Sequence, residues 1–162
     1  MVAPCVRLLL LALVAVPGAL AQDAERSHVA FLNGAGILPT EPALPFSDAV
    51  RVGDVVFLSG ITPIMPGTLE LVPGGTAAEA RQTLDNIETM LTAHGLGRGD
   101  VVKCTGMMED IAEWGAFNAI YAEFFEAPYP ARSAFGADGL ALGARLEVEC
   151  IAAVPEQIDL AE

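Results

Sequence analysis

Basic residues are scarce in this 162-residue chain: eight Lys plus Arg stand against 21 Asp plus Glu, a formal net charge of −13 at neutral pH. Phosphate backbones and anionic lipid find no counter-charge here, which argues against nucleic acid and membrane surfaces as partners and leaves small molecules and other proteins. Histidine occurs only at His28 and His94, with no HxH, HExxH or CxxC spacing, so the sequence offers no structural or catalytic metal site. Lysine occurs once, as Lys103, and Schiff-base chemistry would rest on that residue alone. There is no GxxxxGK[ST] phosphate loop and no GxSxG nucleophile elbow. The run Gly95-Leu96-Gly97-Arg98-Gly99 follows a helical pattern instead of opening one, which makes it a helix stop and not a dinucleotide loop. Aromatics are only 6% of the chain, yet hydrophobic residues are 53%, which suits one compact domain.

The N-terminus is a separate segment. Arg7, an apolar run over residues 8–16, the break at Pro17-Gly18 and the small residues of Ala19-Leu20-Ala21 form a secretory signal-peptide pattern over residues 1–21. The run is short for a bilayer span. Cleavage near Ala21 implies export, periplasmic or secreted, and a mature form with no membrane association. It also removes Cys5 and leaves Cys104 and Cys150 in an oxidising compartment. One disulfide is then arithmetically possible, and two buried free thiols on strands are an equal alternative.

Residues 22–45 read as a leader with one short strand around His28-Val29-Ala30-Phe31-Leu32, after which Pro39, Pro42 and Pro45 forbid regular structure. The body is expected over residues 46–155, followed by an acidic tail over 156–162. Two apolar segments flank the turn residues Gly53-Asp54, the pattern of a bent strand pair or of one long strand with a hairpin turn. Thr76-Ala77-Ala78-Glu79 has capping-box spacing, and Ala80, Leu84, Ile87 and Leu91 form the stripe of a helix that ends at Gly95. Residues 101–108 read as a strand. Asp110-Ile111-Ala112-Glu113 repeats the capping spacing before a second stripe of Trp114, Phe117, Tyr121 and Phe124, read as core. Strands over 132–137 and 145–154 close the domain, joined through Asp138-Gly139. Helices alternating with strands predict an α+β sandwich with both helices on one face of a sheet.

Polar residues set in apolar strands are the remaining chemistry. On the last strand Arg145, Glu147, Glu149 and Ile151 share one face and Leu146, Val148, Cys150 and Ala152 the other, so the apolar set packs on the helices. The charged face is either simply solvated or enclosed by an oligomer, which would put Arg and Glu together in a cleft.

Six ordered blocks resemble the RidA (YjgF-type) family of reactive-intermediate deaminases over about 110 residues. They are Pro45-Phe46-Ser47-Asp48-Ala49-Val50-Arg51-Val52-Gly53, Phe57-Leu58-Ser59-Gly60, Asp100-Val101-Val102-Lys103, Phe117-Asn118-Ala119-Ile120-Tyr121-Ala122-Glu123-Phe124-Phe125, Pro130-Ala131-Arg132-Ser133 and Leu146-Glu147-Val148-Glu149-Cys150-Ile151-Ala152. The resemblance implies a chorismate-mutase-like α+β fold, a mixed sheet with two helices on one face, assembled as a homotrimer with clefts between subunits. It implies hydrolysis of small 2-imino acids to 2-keto acids and ammonia without metal or organic cofactor. By motif, Arg132 corresponds to the arginine that binds the substrate carboxylate, where a planar fork suits a bidentate pair. Glu149 corresponds to the carboxylate that activates water, with Glu147 expected to pair with Arg145. Ser59, Gly60 and Asn118 correspond to residues lining the cleft. Three further lining positions depart from the family: Phe46 stands for a usual Tyr, Ile61 for a common Gln, and Ala134 for a frequent Cys.

Three readings follow. The first is a cofactor-free imine hydrolase using Arg132 and Glu149. The second is a binding protein for small 2-keto or related acids that keeps the Arg132 clamp but has lost turnover with the polar groups at 46, 61 and 134. The third is a structural role in masking unfolded clients, which ranks last because the sequence displays no exposed apolar patch.

Overall fold

The structure, a computed structural model, describes residues 28–155. The expected signal peptide over 1–21, the leader before His28 and the tail over 156–162 lie outside those residues. Val29–Leu32 (β1), Ala49–Val52 (β2) and Val55–Leu58 (β3) form an antiparallel meander. The β2–β3 turn runs through Gly53 at φ 59°, a left-handed conformation that glycine adopts at little cost.

Thr76–Ala93 (α1) follows the long loop over residues 60–75. It ends as its sequence indicates: Gly95, at φ 74°, donates its N–H to Thr92 and Leu96 donates to Leu91, closing the last turn. The start differs from the capping-box expectation. Gly75 is the N-cap and no side chain caps the helix. Thr76 donates its hydroxyl to Glu113, and the Glu79 carboxylate accepts the Arg145 backbone N–H at 2.7 Å. Both box residues are thus spent on tertiary contacts, Thr76 with the turn at Glu113 and Glu79 with the entry of the last strand.

Val101–Met108 (β4) leads into a short 3-10 turn over Ile111–Glu113, capped by Asp110, whose carboxylate accepts from the Ala112 N–H at 2.9 Å. Trp114–Phe124 (α2), Ala131–Gly136 (β5) and Leu146–Ala153 (β6) complete the chain. The six strands lie in the order β1-β2-β3-β6-β4-β5, so the last strand enters the middle of the sheet. Strand β5 pairs parallel with β4, and every other pair is antiparallel. The result is the mixed sheet of an α+β sandwich.

Alternation divides the sheet cleanly. Val56, Leu58, Cys104, Met108, Leu146, Val148, Cys150 and Ala152 point to the helices and join Leu84, Ile87, Met90, Phe117, Tyr121 and Phe124 in one buried cluster. Each fully buried Leu, Ile or Met contributes about 1.5–3 kcal/mol. Cys104 and Cys150, directly opposite each other on β4 and β6, are joined by a disulfide. The other face of the sheet is open. Phe31 is 71% exposed there, Phe57 46% and Phe135 49%, with Val29, Val52 and Val55 beside them. The expectation of no exposed apolar patch is therefore corrected: alternating strands hide such a face in sequence, because each apolar residue on it is flanked by core residues.

Candidate active site

Arg132 lies on β5, the edge strand, and points to the helical side because its register partner is the core residue Cys104. Its Nη2 donates to Asn118 Oδ1 at 2.7 Å, one side chain reaching across from α2 to the strand. The guanidinium carbon lies 4.5 Å from the ring centre of Tyr121, 5.4 Å from Phe117 and 5.5 Å from Trp114, all within cation–π range. Asn118, Tyr121, Tyr129 and Arg132 line a hollow of about 270 Å³. The Tyr121 hydroxyl is buried without a hydrogen-bond partner among the described residues. Burial raises its pKa and the Arg132 charge partly opposes that rise, so the phenol stays neutral. Ala134, two residues on, shares this face and sits beside Gly106.

Arg132 differs from its counterparts in having no acid. Arg51, Arg81, Arg98 and Arg145 each lie within 4 Å of a carboxylate, namely Asp54, Glu123, Glu88 and Glu113. Among the described residues no carboxylate pairs with Arg132. In a chain so rich in acid, a half-buried guanidinium left open is a ready site for an anion.

A second group gathers on the open face. Phe46 and Ser59 line one shallow basin with Phe31 and Val50. Ser59 is fixed by two bonds, its hydroxyl donating to the Ser47 carbonyl at 2.7 Å and its N–H to the Asp48 carbonyl at 3.0 Å. Gly60 follows, and a side chain at this position would run into the Glu147 carboxylate, so the acid rests directly against the glycine backbone. Burial first, and the neighbouring Glu149 charge second, raise the Glu147 carboxyl above the usual carboxylate range. A carboxylate shifted in this direction is a stronger proton acceptor than an ordinary one.

Two sequence expectations are corrected here, and a third, that Arg132 and Glu149 share a cleft between subunits, is confined to the subunit boundary because the two do not meet within one chain. Arg132 sits opposite Cys104 and Glu149 opposite Thr105, so they leave opposite faces of the sheet. Arg145 pairs with Glu113 at 3.2 Å, which leaves Glu147 free to meet Gly60. Ile61 gives the site no side chain: it is 1% exposed in the core, and its backbone bonds Val148 in both directions, at 2.9 and 3.0 Å. Sequence reading also took Trp114, Phe117 and Tyr121 only as core, although their spacing with Asn118 puts them on one side of α2. No group of three or more His, Cys, Asp or Glu side chains gathers among the described residues in a way that could hold a metal.

The site therefore comes in two halves. Arg132, Asn118 and Ala134 lie at the β5 edge, and Phe46, Ser59, Gly60 and Glu147 lie around β3 and β6. The edge strand stands three strand spacings from β3, about 14 Å.

Residues 38–154 match the family described as Endoribonuclease L-PSP. This chain belongs to the L-PSP family. Among its relatives, the goat (Capra hircus) protein named 2-iminobutanoate/2-iminopropanoate deaminase is 40% identical over 108 residues, covering 67% of this chain and 79% of that one. The Arabidopsis thaliana protein named Reactive Intermediate Deaminase A, chloroplastic, is also 40% identical over 108 residues, and the match spans 58% of its length. Of solved structures, E. coli TdcF with bound serine superposes at a TM-score of 0.71 and 30% identity, covering 78% of this chain and 99% of that one. The RidA resemblance of the sequence blocks is thus membership of the L-PSP family, and the sandwich described above is that family's fold.

Proposed function

We propose that this protein hydrolyses small 2-imino acids to 2-keto acids and ammonia, without cofactor, in clefts where two copies of the chain meet. The observation that carries the reading is Arg132, half-buried, held by Asn118 and three rings, and the one described arginine with no acid beside it. A planar fork in that state suits a carboxylate-bearing substrate. The names of the goat and Arabidopsis relatives support the same chemistry.

The second copy supplies what one chain lacks. Arg132 of one subunit and Glu147 of its neighbour form the two ends of the cleft, in an assembly taken to be a homotrimer closed over the open apolar face. The substrate carboxylate pairs with Arg132, which leaves the C=N carbon toward the acid. Glu147 takes a proton from water as the water oxygen adds to the carbon of the protonated imine, giving a neutral carbinolamine. That proton passes from Glu147 to the amine nitrogen, the C–N bond breaks to release ammonia, and the hydroxyl proton returns to the Glu147 carboxylate as the carbonyl forms. Glu147 takes this role in place of Glu149 because it rests against Gly60 and its own pKa is raised. Ser59, Gly60, Asn118, Phe46 and Ala134 line the cleft. The signal-peptide pattern over residues 1–21 supports export, and the net charge of −13 argues against nucleic acid and membrane surfaces as partners.

A specific feature favours a second reading, a non-catalytic binder of small 2-keto acids: Phe46 and Ala134 are apolar in positions lining the two halves. One assay separates the two. With 2-iminopropanoate generated in situ by an amino-acid oxidase, the wild type should clear imine at least ~10²-fold faster than Glu147→Gln, the usual size of a general-base effect. Equal rates would leave only the binder, and failure of pyruvate to bind wild type more tightly than Arg132→Ala would remove that as well.

A further inference from the structure

Four of the five described arginines are held by carboxylates, and the fifth is held by rings. The difference has a chemical consequence. An acid partner would fix Arg132 but neutralise it, and a substrate carboxylate would then have to displace that acid. A ring face attracts and orients the guanidinium through its quadrupole and leaves the formal charge intact. Asn118 adds one neutral acceptor and so engages one of the five N–H donors.

We infer that Trp114 is a positioning residue for Arg132: its indole, with Tyr121 and Phe117, holds the guanidinium in place without discharging it, and so sets the affinity for the substrate carboxylate. Tyr121 and Phe117 are buried and also serve the core, at 4% and 0% exposure. Trp114 is 42% exposed, in spite of being placed on the same helical stripe, so its contact with Arg132 is not explained by core packing. It is also the only tryptophan in the chain, lying 5.5 Å from the guanidinium carbon, which gives the site a built-in optical probe.

The inference rests on the carboxylate-binding role proposed for Arg132, and the test separates the two. Pyruvate is titrated into the full assembled protein by calorimetry, and KM and kcat are measured with 2-iminopropanoate, for wild type, Arg132→Ala, Trp114→Leu and Trp114→Phe. Trp114→Leu should weaken pyruvate binding and raise KM together by roughly 3- to 10-fold, the range of a partly exposed cation–π contact, with kcat and Tm little changed. Trp114→Phe, which restores a ring, should recover most of the loss. In the unaltered protein, pyruvate should shift the tryptophan emission with the calorimetric midpoint. If wild type binds pyruvate and Arg132→Ala does not, but Trp114→Leu matches wild type, the inference falls and the proposed function stands. An emission unchanged at saturating pyruvate overturns the inference in the same way. If wild type and Arg132→Ala are alike in pyruvate binding, both fall together.

Discussion

Glu147 is where a cost in stability and a gain in chemistry meet in one side chain. Its folded-state pKa lies above the ordinary carboxylate value, so between the two values the folded chain holds a proton that the unfolded chain has released. Stability must then fall as pH rises through that window, and the penalty remains in full above it. Glu147→Gln removes the titrating group. Urea denaturation at a series of pH values should show this variant more stable than wild type at neutral pH, with the gap closing on the acid side, while imine hydrolysis is lost. Matching pH slopes for the two proteins would show that the carboxyl is not perturbed. Gly60→Ala probes the same contact from the other side. The backbone at Gly60 is not in the left-handed region, so alanine brings no conformational strain, but its methyl group displaces the flexible end of Glu147. The expected result is a Tm close to that of wild type with turnover reduced at least ~10-fold, since displacing a general base forfeits much of its effect.

The pairing of β4 with β6 shows both what could be read in the sequence and what could not. Each helix and strand was legible, because stripes at 80, 84, 87 and 91 or alternation over 146–152 are local patterns with one structural meaning. The order of the strands was not, since nothing in residues 146–153 says that they enter between β3 and β4 and leave β5 at the edge. The relative placement of the two halves of the site was illegible for that reason. Faces alternate legibly within a strand, but whether Arg132 and Glu149 share a face depends on register between strands, and a slip of one residue would reverse the answer. In the observed register Arg132 sits beside Cys104, which sits beside Cys150, so the arginine takes the cysteine face and Glu149 the other. The same register joins the two cysteines, whose separation of 46 residues closes a long loop. A loop of that length limits the unfolded chain by up to about 4 kcal/mol. Both sulfurs are buried, Cys104 and Cys150 being 1% exposed. Reductant should therefore leave the intact mass of the native protein unchanged and add two mass units only with denaturant present, and Cys104→Ala with Cys150→Ala should lower the denaturation midpoint without changing the fold.

A sheet with helices on one side and Phe31, Phe57, Phe135 and several valines bare on the other is unfinished as a single chain. Covering that face with further copies buries the apolar residues, and if a neighbour's β5 edge approaches the basin of Phe46, Ser59 and Glu147, it also completes the site. Chain association and catalysis then become one property, which a charge on the open face should destroy: Phe57→Glu is expected to give monomers by sedimentation and no imine hydrolysis, although Arg132 and Glu147 are both untouched. The decisive experiment uses two inactive proteins. Arg132→Ala lacks the clamp and Glu147→Gln lacks the base, so each homo-oligomer is dead. When the two are mixed in equal amounts, dissociated and reassembled, a site drawing its arginine from one copy and its acid from the next is intact whenever a Glu147→Gln chain lends the arginine to an Arg132→Ala chain. Random assembly of a symmetric ring makes about a quarter of the sites whole, and activity should recover to that level. If the site were formed within one chain, every chain in the mixture would carry one lesion, and reassembly would restore nothing.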